Sequence, residues 1–215
     1  MLPTWALENI AIFVISFIAG FLFYYVISPI ERLEKKKHLE EVLSMLINFV
    51  VYIWISKIII NIGLFFTDPI AVLAYPSNAQ AFYLATVLTG IHIAYKVRKH
   101  NWDVMRFIST FTFVFIAASF CYEFIQIMWV GDTYTWLYLI VLFVLLLGVV
   151  VLHNKISINT LIFSTWVGWV VGQLILSLLT PFITVFGYMI SPVFLIALLT
   201  ICLVWTYVFK RKRVK

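Results

Sequence analysis

Apolar residues along this chain come in long unbroken runs, neither alternating nor confined to one position in three or four. The runs cover residues 7–30, 43–66, 79–97, 107–130, 135–152, 160–179 and 192–209. About 20 apolar residues in an α-helix cross the hydrocarbon core of a bilayer. Continuous runs exclude lipid-facing strands, which alternate, and an open sheet edge cannot face lipid. The pattern therefore predicts an all-α polytopic membrane protein of seven transmembrane helices, the fifth extending to His153. The segments between runs are too short for a soluble domain, so residues 1–215 read as a single transmembrane helical domain.

Composition supports this and charge orients it. The 215 residues are 64% hydrophobic and 11% charged, whereas soluble domains carry about 25% charged residues. That excludes a soluble enzyme and, equally, a disordered chain. The net charge of +6 does not point to nucleic acid, because the basic residues form short blocks between apolar runs rather than one basic face. Arg32, Lys35, Lys36 and Lys37 follow the first run. Lys96, Arg98, Lys99 and Arg106 separate the third from the fourth, Lys155 follows the fifth, and Lys210, Arg211, Lys212, Arg213 and Lys215 end the chain. Every basic residue except Lys57 is thus on one set of ends. The positive-inside bias puts the N-terminus outside and the C-terminus in the cytoplasm, with a bacterial cytoplasmic membrane as the expected location. Residues 1–9 lack a basic n-region and carry Glu8, so the first run reads as a retained helix. Trp5, Trp129, Tyr134, Trp136 and Tyr188 at outer ends, and Trp102, Trp205 and Tyr207 at inner ends, suit the headgroup layer.

Several chemistries lack their residues. Cys121 and Cys202 lie within apolar runs with no Cys-x-x-Cys, and read as small hydrophobes. No His-Glu-x-x-His, P-loop or Gly-x-Ser-x-Gly occurs. Glu40 and Glu41 have no histidine at metal-ligand spacing. His38, His100 and His153 are expected to face water at the cytoplasmic boundary, and His92 to bond a neighbouring carbonyl or point to the interface. No metal and no cofactor is expected. Span 7 also lacks the lysine of a retinal protein.

Ionisable residues inside spans are costly and mark functional sites by default. Lys57 lies about 21 Å and Glu123 about 24 Å from the cytoplasmic ends of their runs at 1.5 Å per residue. Opposite charges at one depth offset each other's desolvation, so the two are expected to pair. Asn61 follows Lys57 by one turn, and Gln126 follows Glu123. Gln173 lies about 20 Å deep by the same rise, next to a stripe of small residues, Ser164, Gly168 and Gly172, that admits another helix closely. Lys57, Asn61, Glu123, Gln126 and Gln173 are the candidate substrate-binding residues, lining an outward-facing polar cavity. A structural ion pair that locks two helices is the competing reading.

The layout resembles the bacterial prolipoprotein diacylglyceryl transferases, with seven spans and a charged helical extension after the first. Residues 38–61, HLEEVLSMLINFVVYIWISKIIIN, look like that family's second helix, with Lys57 where a Gly-Ala-Arg arginine is expected. Residues 82–128 look like its next two helices, and Tyr122-Glu123-Phe124-Ile125-Gln126 falls where the family writes Gly-Asn-Phe-x-Asn. Trp136-Leu137-Tyr138 resembles its Leu-Tyr-Glu helix, and Gly172-Gln173 falls at a Gly-Arg-Phe motif. The chain departs at the catalytic positions. Residues 81–90 hold no His-Gly-Gly, Phe120 and Gln173 replace arginines, Ser177 replaces a glutamate, and the outer loops are too short for the family's periplasmic head.

The resemblance implies a diacylglyceryl transfer from phosphatidylglycerol to a lipoprotein precursor. Two arginines would grip the lipid phosphate bidentately, a task glutamine and phenylalanine cannot perform. The expectation is therefore a divergent or non-catalytic member that binds phospholipid or lipopeptide in the outer half of the bundle. An active lipid transferase with Glu123 as the catalytic base is the enzyme alternative. A small proton-coupled transporter using Lys57 and Glu123 is the other, though the chain lacks two matching halves.

Reporter fusions test the orientation. Fusions after Lys37 and Lys99 should read cytoplasmic and one at Asp68 outside; a cytoplasmic reading at Asp68 overturns the span count.

Overall fold

A computed structural model describes residues 4–74, 78–100, 102–131 and 136–213. The expectations placed on Met1–Pro3, on Asp132 and Tyr134, and on Lys215 lie outside the described residues. So do those on the side chains of Trp5, His100, Cys202, Trp205, Tyr207, Lys210, Arg211, Lys212 and Arg213.

The chain is mostly helical: α1 (Thr4–Ile27), α2 (Arg32–Ile60), α3 (Ile62–Thr67), α4 (Pro69–Ala74), α5 (Ala79–His100), α6 (Val104–Ile125), α7 (Trp136–Leu152), α8 (Ile158–Leu179) and α9 (Pro192–Arg213). Among the described residues four helices are long and apolar enough to cross a membrane, Leu7–Ile27, Arg32–Ile60, Val104–Val130 and Ile158–Leu179. Trp136–Leu152 and Pro192–Ile201 are shorter apolar helices. The third run forms α5, whose last turn carries Lys96, Arg98 and Lys99 and dilutes its apolar character. Outward faces are apolar as well as inward ones: Leu7, Ile10, Val14, Ile18 and Leu22 of α1 are all exposed. Helices apolar all round are buried in lipid or in a large core.

Helix starts follow short polar side chains. Asp68, Asn78 and Asp103 each accept the backbone N–H three residues on, at 2.9, 2.9 and 3.1 Å. Ser157 and Ser191 do the same at 3.3 Å. Each side-chain oxygen satisfies an N–H that has no partner inside the helix. Pro69 and Pro192 occupy first helical positions, where the missing N–H costs nothing.

Three sequence expectations change. The second run is not one helix: α2 starts at Arg32 and stops at Ile60, where Asn61 leaves the helical region at φ −114°, ψ 37° before α3 begins. Asparagine competes for backbone groups, and here its Nδ2 donates to the Lys57 carbonyl at 3.0 Å. The fifth helix ends at Leu152, not His153. Finally, strands are present: Thr184–Val185 (β1) and Tyr188–Met189 (β2) pair as an antiparallel hairpin between α8 and α9. Pro181 follows the α8 C-cap, Thr180, and cannot continue the helix.

Two compact units are formed, one from residues 1–31 and 108–215, the other from residues 32–107. In the second unit α2 packs on α5. Phe49 meets Phe82 edge-on at 5.5 Å, and the Tyr52 hydroxyl lies 2.7 Å from His92 Nδ1. His92 thus bonds a tyrosine rather than a carbonyl or the interface. His38, expected in water, is 4% exposed, because it falls on the α2 stripe of His38, Val42 and Met45 that turns inward.

In the first unit α6 is enclosed on all sides, with every residue from Thr112 to Ser119 buried. α1 lies against it through Gly20, where an added Cβ would sit 2.5 Å from the Val114 carbonyl oxygen and 3.1 Å from the Ala118 Cβ. α7 and α8 meet along the small-residue stripe read from the sequence. A Cβ on Gly172 would lie 2.6 Å from Val141 Cγ1, and one on Gly168 would lie 3.0 Å from Leu145 Cδ2. The Trp166 indole donates to Thr112 Oγ1 at 2.9 Å and ties α8 to α6.

These contacts predict unequal glycine effects. Gly20→Ala and Gly172→Ala should each lower the thermal midpoint, at a cost of about 1–3 kcal/mol from overpacking. Gly148→Ala, which meets nothing within 4 Å, should be neutral or stabilising. Equal effects at Gly148 and Gly172 would refute the close α7–α8 seating.

Candidate functional site

The polar residues named from the sequence divide between the units. Lys57 and Asn61 belong to the second, and Glu123, Gln126 and Gln173 to the first. Lys57 and Glu123, expected as one pair, are accordingly described each within its own unit.

Lys57 is 6% exposed on α2. Its Nζ donates to the Leu73 carbonyl at 2.8 Å, a bond made possible because α3 and α4 fold back after the break at Asn61. A cation near the last carbonyls of a helix is favourably placed. Asn61 is exposed, with its amide on the Lys57 carbonyl.

The first unit gathers a denser set. Glu123 on α6, Tyr138 on α7, and Trp169 and Gln173 on α8 are all buried, Glu123 and Gln173 each to 1% exposure. The Trp169 indole donates to Tyr138 Oη at 3.1 Å, which leaves the tyrosine proton to donate elsewhere. Ser119, Gln173 and the carboxyl of Glu123 all lie near that hydroxyl. Yet Ser119 Oγ and both amide atoms of Gln173, though close to it, make no well-aligned hydrogen bond among the described residues. Leaving such groups unsatisfied costs about 1–3 kcal/mol each, and each instance calls for an explanation.

One turn further along, the helix widens: Gln126–Val130 forms a π-helical turn that ends at Gly131, φ +77°. Turns of this kind are frequent at functional sites. The Gln126 amide donates to Tyr122 Oη at 3.1 Å. Tyr122 in turn meets the Phe186 ring at 5.3 Å, at the tip of the β1–β2 hairpin.

The structure gathers Glu123 and Gln173 with Ser119, Tyr138 and Trp169, and sets Gln126 on Tyr122 one turn further along. Ser119 and Trp169 escaped notice, and Tyr122 and Tyr138 entered only as motif neighbours, because serine, tyrosine and tryptophan inside apolar runs give no signal beyond packing or interface. The positions that depart from the transferase pattern are occupied structurally. Phe120 stacks on Phe124 at 6.3 Å and tilts against Phe143 at 6.0 Å, and Ser177 Oγ donates to its own helix at the Leu174 carbonyl, 2.7 Å. Cys121 is half-buried beside Ser16.

No family model matches the chain, and no match to it was found among curated proteins or solved structures.

The unfilled bonding capacity predicts a stability test. Gln173→Met keeps the length and removes the unsatisfied amide, so it should raise the thermal midpoint of delipidated protein, by up to about 1–3 kcal/mol. Trp169→Phe, which removes a formed bond, should lower it by about 0.5–1.5 kcal/mol. A marked loss of stability in Gln173→Met would mean that the amide is a structural strut.

Proposed function

We propose that this chain is a seven-span integral membrane protein, N-terminus outside and C-terminus cytoplasmic, that binds a phospholipid or lipopeptide in the outer half of its bundle and does not transfer an acylglyceryl group. The observation that carries the reading is the buried Ser119–Tyr138–Gln173 set beside Glu123, whose hydrogen-bonding capacity is only partly used. These groups lie within the apolar helices α6, α7 and α8. A ligand that meets them at that depth must itself partition into lipid, which favours an amphiphile with a polar head. The cluster supplies both donors and acceptors, as the few placed polar groups of a ligand site do.

The absence of transfer rests on the same residues. Gripping a lipid phosphate in the manner of the family it resembles needs arginine forks. Phe120 packs against aromatic rings and Gln173 is neutral, so neither can anchor a phosphate as arginine does. Glu123 then acts as a polar wall of the site.

Native mass spectrometry of gently extracted protein tests this. Wild-type protein should retain phospholipid, and Gln173→Met should lose most of it while gaining thermal stability. In the same preparations, a lipobox peptide offered with phosphatidylglycerol should remain unmodified. No retained lipid in the wild type, or measurable turnover, refutes the reading.

A further inference from the structure

The β1–β2 hairpin departs from the rest of the first unit in both backbone and position. Its two central residues are Phe186 at φ +50° and Gly187 at φ +81°. Positive φ at both centres is the type I′ hairpin turn, which favours Asn-Gly. Phenylalanine in that region is an outlier that persists only when its surroundings over-determine it. The surroundings are four rings. Phe186 stacks on Phe17 at 5.1 Å and meets Phe13, Phe115 and Tyr122 edge-on at 5.6, 5.8 and 5.3 Å. Phe17 stands midway along the candidate span Leu7–Ile27, so the tip reaches the middle of an apolar helix. Non-helical backbone at such depth is tolerated only inside protein or along a polar cavity.

The tip also lies along the face of α6 that carries Ser119, since Phe115 and Tyr122, which its ring meets, stand one turn before and one turn after that serine. A Cβ on Gly187 would lie 3.1 Å from Tyr122 Oη, the atom that accepts from Gln126, and Tyr122 directly precedes Glu123. Ser119 Oγ and the Gln173 amide have essentially no accessible surface, so a ligand enters only if an element moves. The helices are poor candidates, since α7 is seated on Gly168 and Gly172 of α8, and α8 is tied to α6 by the Trp166 bond. The hairpin is held at its tip by ring packing. Its base is closed by the Ile190 N–H to Ile183 carbonyl bond at 2.9 Å, and Thr180 Oγ1 bonds both the Leu176 and Phe182 carbonyls where it leaves α8. The Thr180–Pro181 junction is where the hairpin leaves α8.

We propose that the hairpin is a re-entrant lid over the Glu123 chamber, latched by Phe186 among the rings of α1 and α6. The proposal rests on the ligand-binding reading above, since a lid implies something to admit.

The test is the rate at which a Ser119→Cys thiol reacts with a charged methanethiosulfonate reagent in detergent, in a Cys121→Ala, Cys202→Ala background. Phe186→Asn removes the latch ring but suits the left-handed turn, so the hairpin stays formed and only its seat is weakened. It should speed labelling by about tenfold or more, the factor that a modest shift in opening free energy gives. Gly187→Ala, which strains the turn and crowds Tyr122, should also speed it. Ser56→Cys, a fully buried position in the other unit, should keep its rate in both variants. Unchanged labelling at position 119, or equal acceleration at position 56, overturns the lid. The readout needs no ligand, so hairpin-dependent labelling in protein that retains no phospholipid would fail the binding reading and leave the lid standing.

Discussion

An apolar surround offers a buried polar group neither donor nor acceptor, so each one carried into it must be satisfied by the protein or by a partner. That constraint orders the first unit. Ser16, Thr112 and Thr165 return their hydroxyls to carbonyls one turn back on their own helices, and the Trp166 and Trp169 indoles reach across to Thr112 and Tyr138. Against that background of closed bonds, Ser119 and Gln173 are the exceptions, and they fall beside the buried carboxyl of Glu123. A defect of this kind, fixed in the most tightly enclosed part of a fold, is where a ligand gains most from binding.

Close packing holds the exceptions in place. Without Gly20, α1 could not approach the Val114 carbonyl, and without Gly172, α8 could not accept Val141. Dispersion contacts of that quality stand in for the hydrophobic effect, which does not drive association between helices already solvated by lipid. The aromatic cluster around Phe186 adds ring contacts between the hairpin, α1 and α6. The helices around Ser119 and Gln173 are closely packed, and the hairpin set against α1 and α6 has a different backbone.

The second unit uses different means for a similar problem. Lys57 is buried, and its ammonium finds a carbonyl at the end of α4 rather than remaining uncompensated. The break at Asn61 makes this possible, because an unbroken second helix would carry Leu73 out of reach. Tyr52 and His92 share a proton-bearing bond across α2 and α5. Lys57, Tyr52 and His92 are thus matched by a turn or a neighbour, whereas the buried Ser56 hydroxyl is not, among the described residues.

The sequence by itself determined where the apolar helices lie, because runs of that length and continuity admit little else. The helix starts at Asp68, Asn78, Asp103, Ser157 and Ser191 emerged as caps only in the structure, although the hydrogen bonds that make them are local. The sequence singled out Glu123 and Gln173, since ionisable and amide groups in an apolar run are conspicuous on cost alone, and it placed the small stripe on α8. It did not show the break at Asn61, which depends on the competition of one side chain with the helix ladder. Nor did it show the burial of His38, which follows from which face of α2 meets α5. The hairpin was invisible because two-residue strands have no periodicity and a phenylalanine does not announce a left-handed turn. Only the tertiary structure brought Ser119, Tyr138 and Trp169 to Glu123 and Gln173. They come from three helices distant in sequence, and their convergence is set by packing geometry that no single segment encodes.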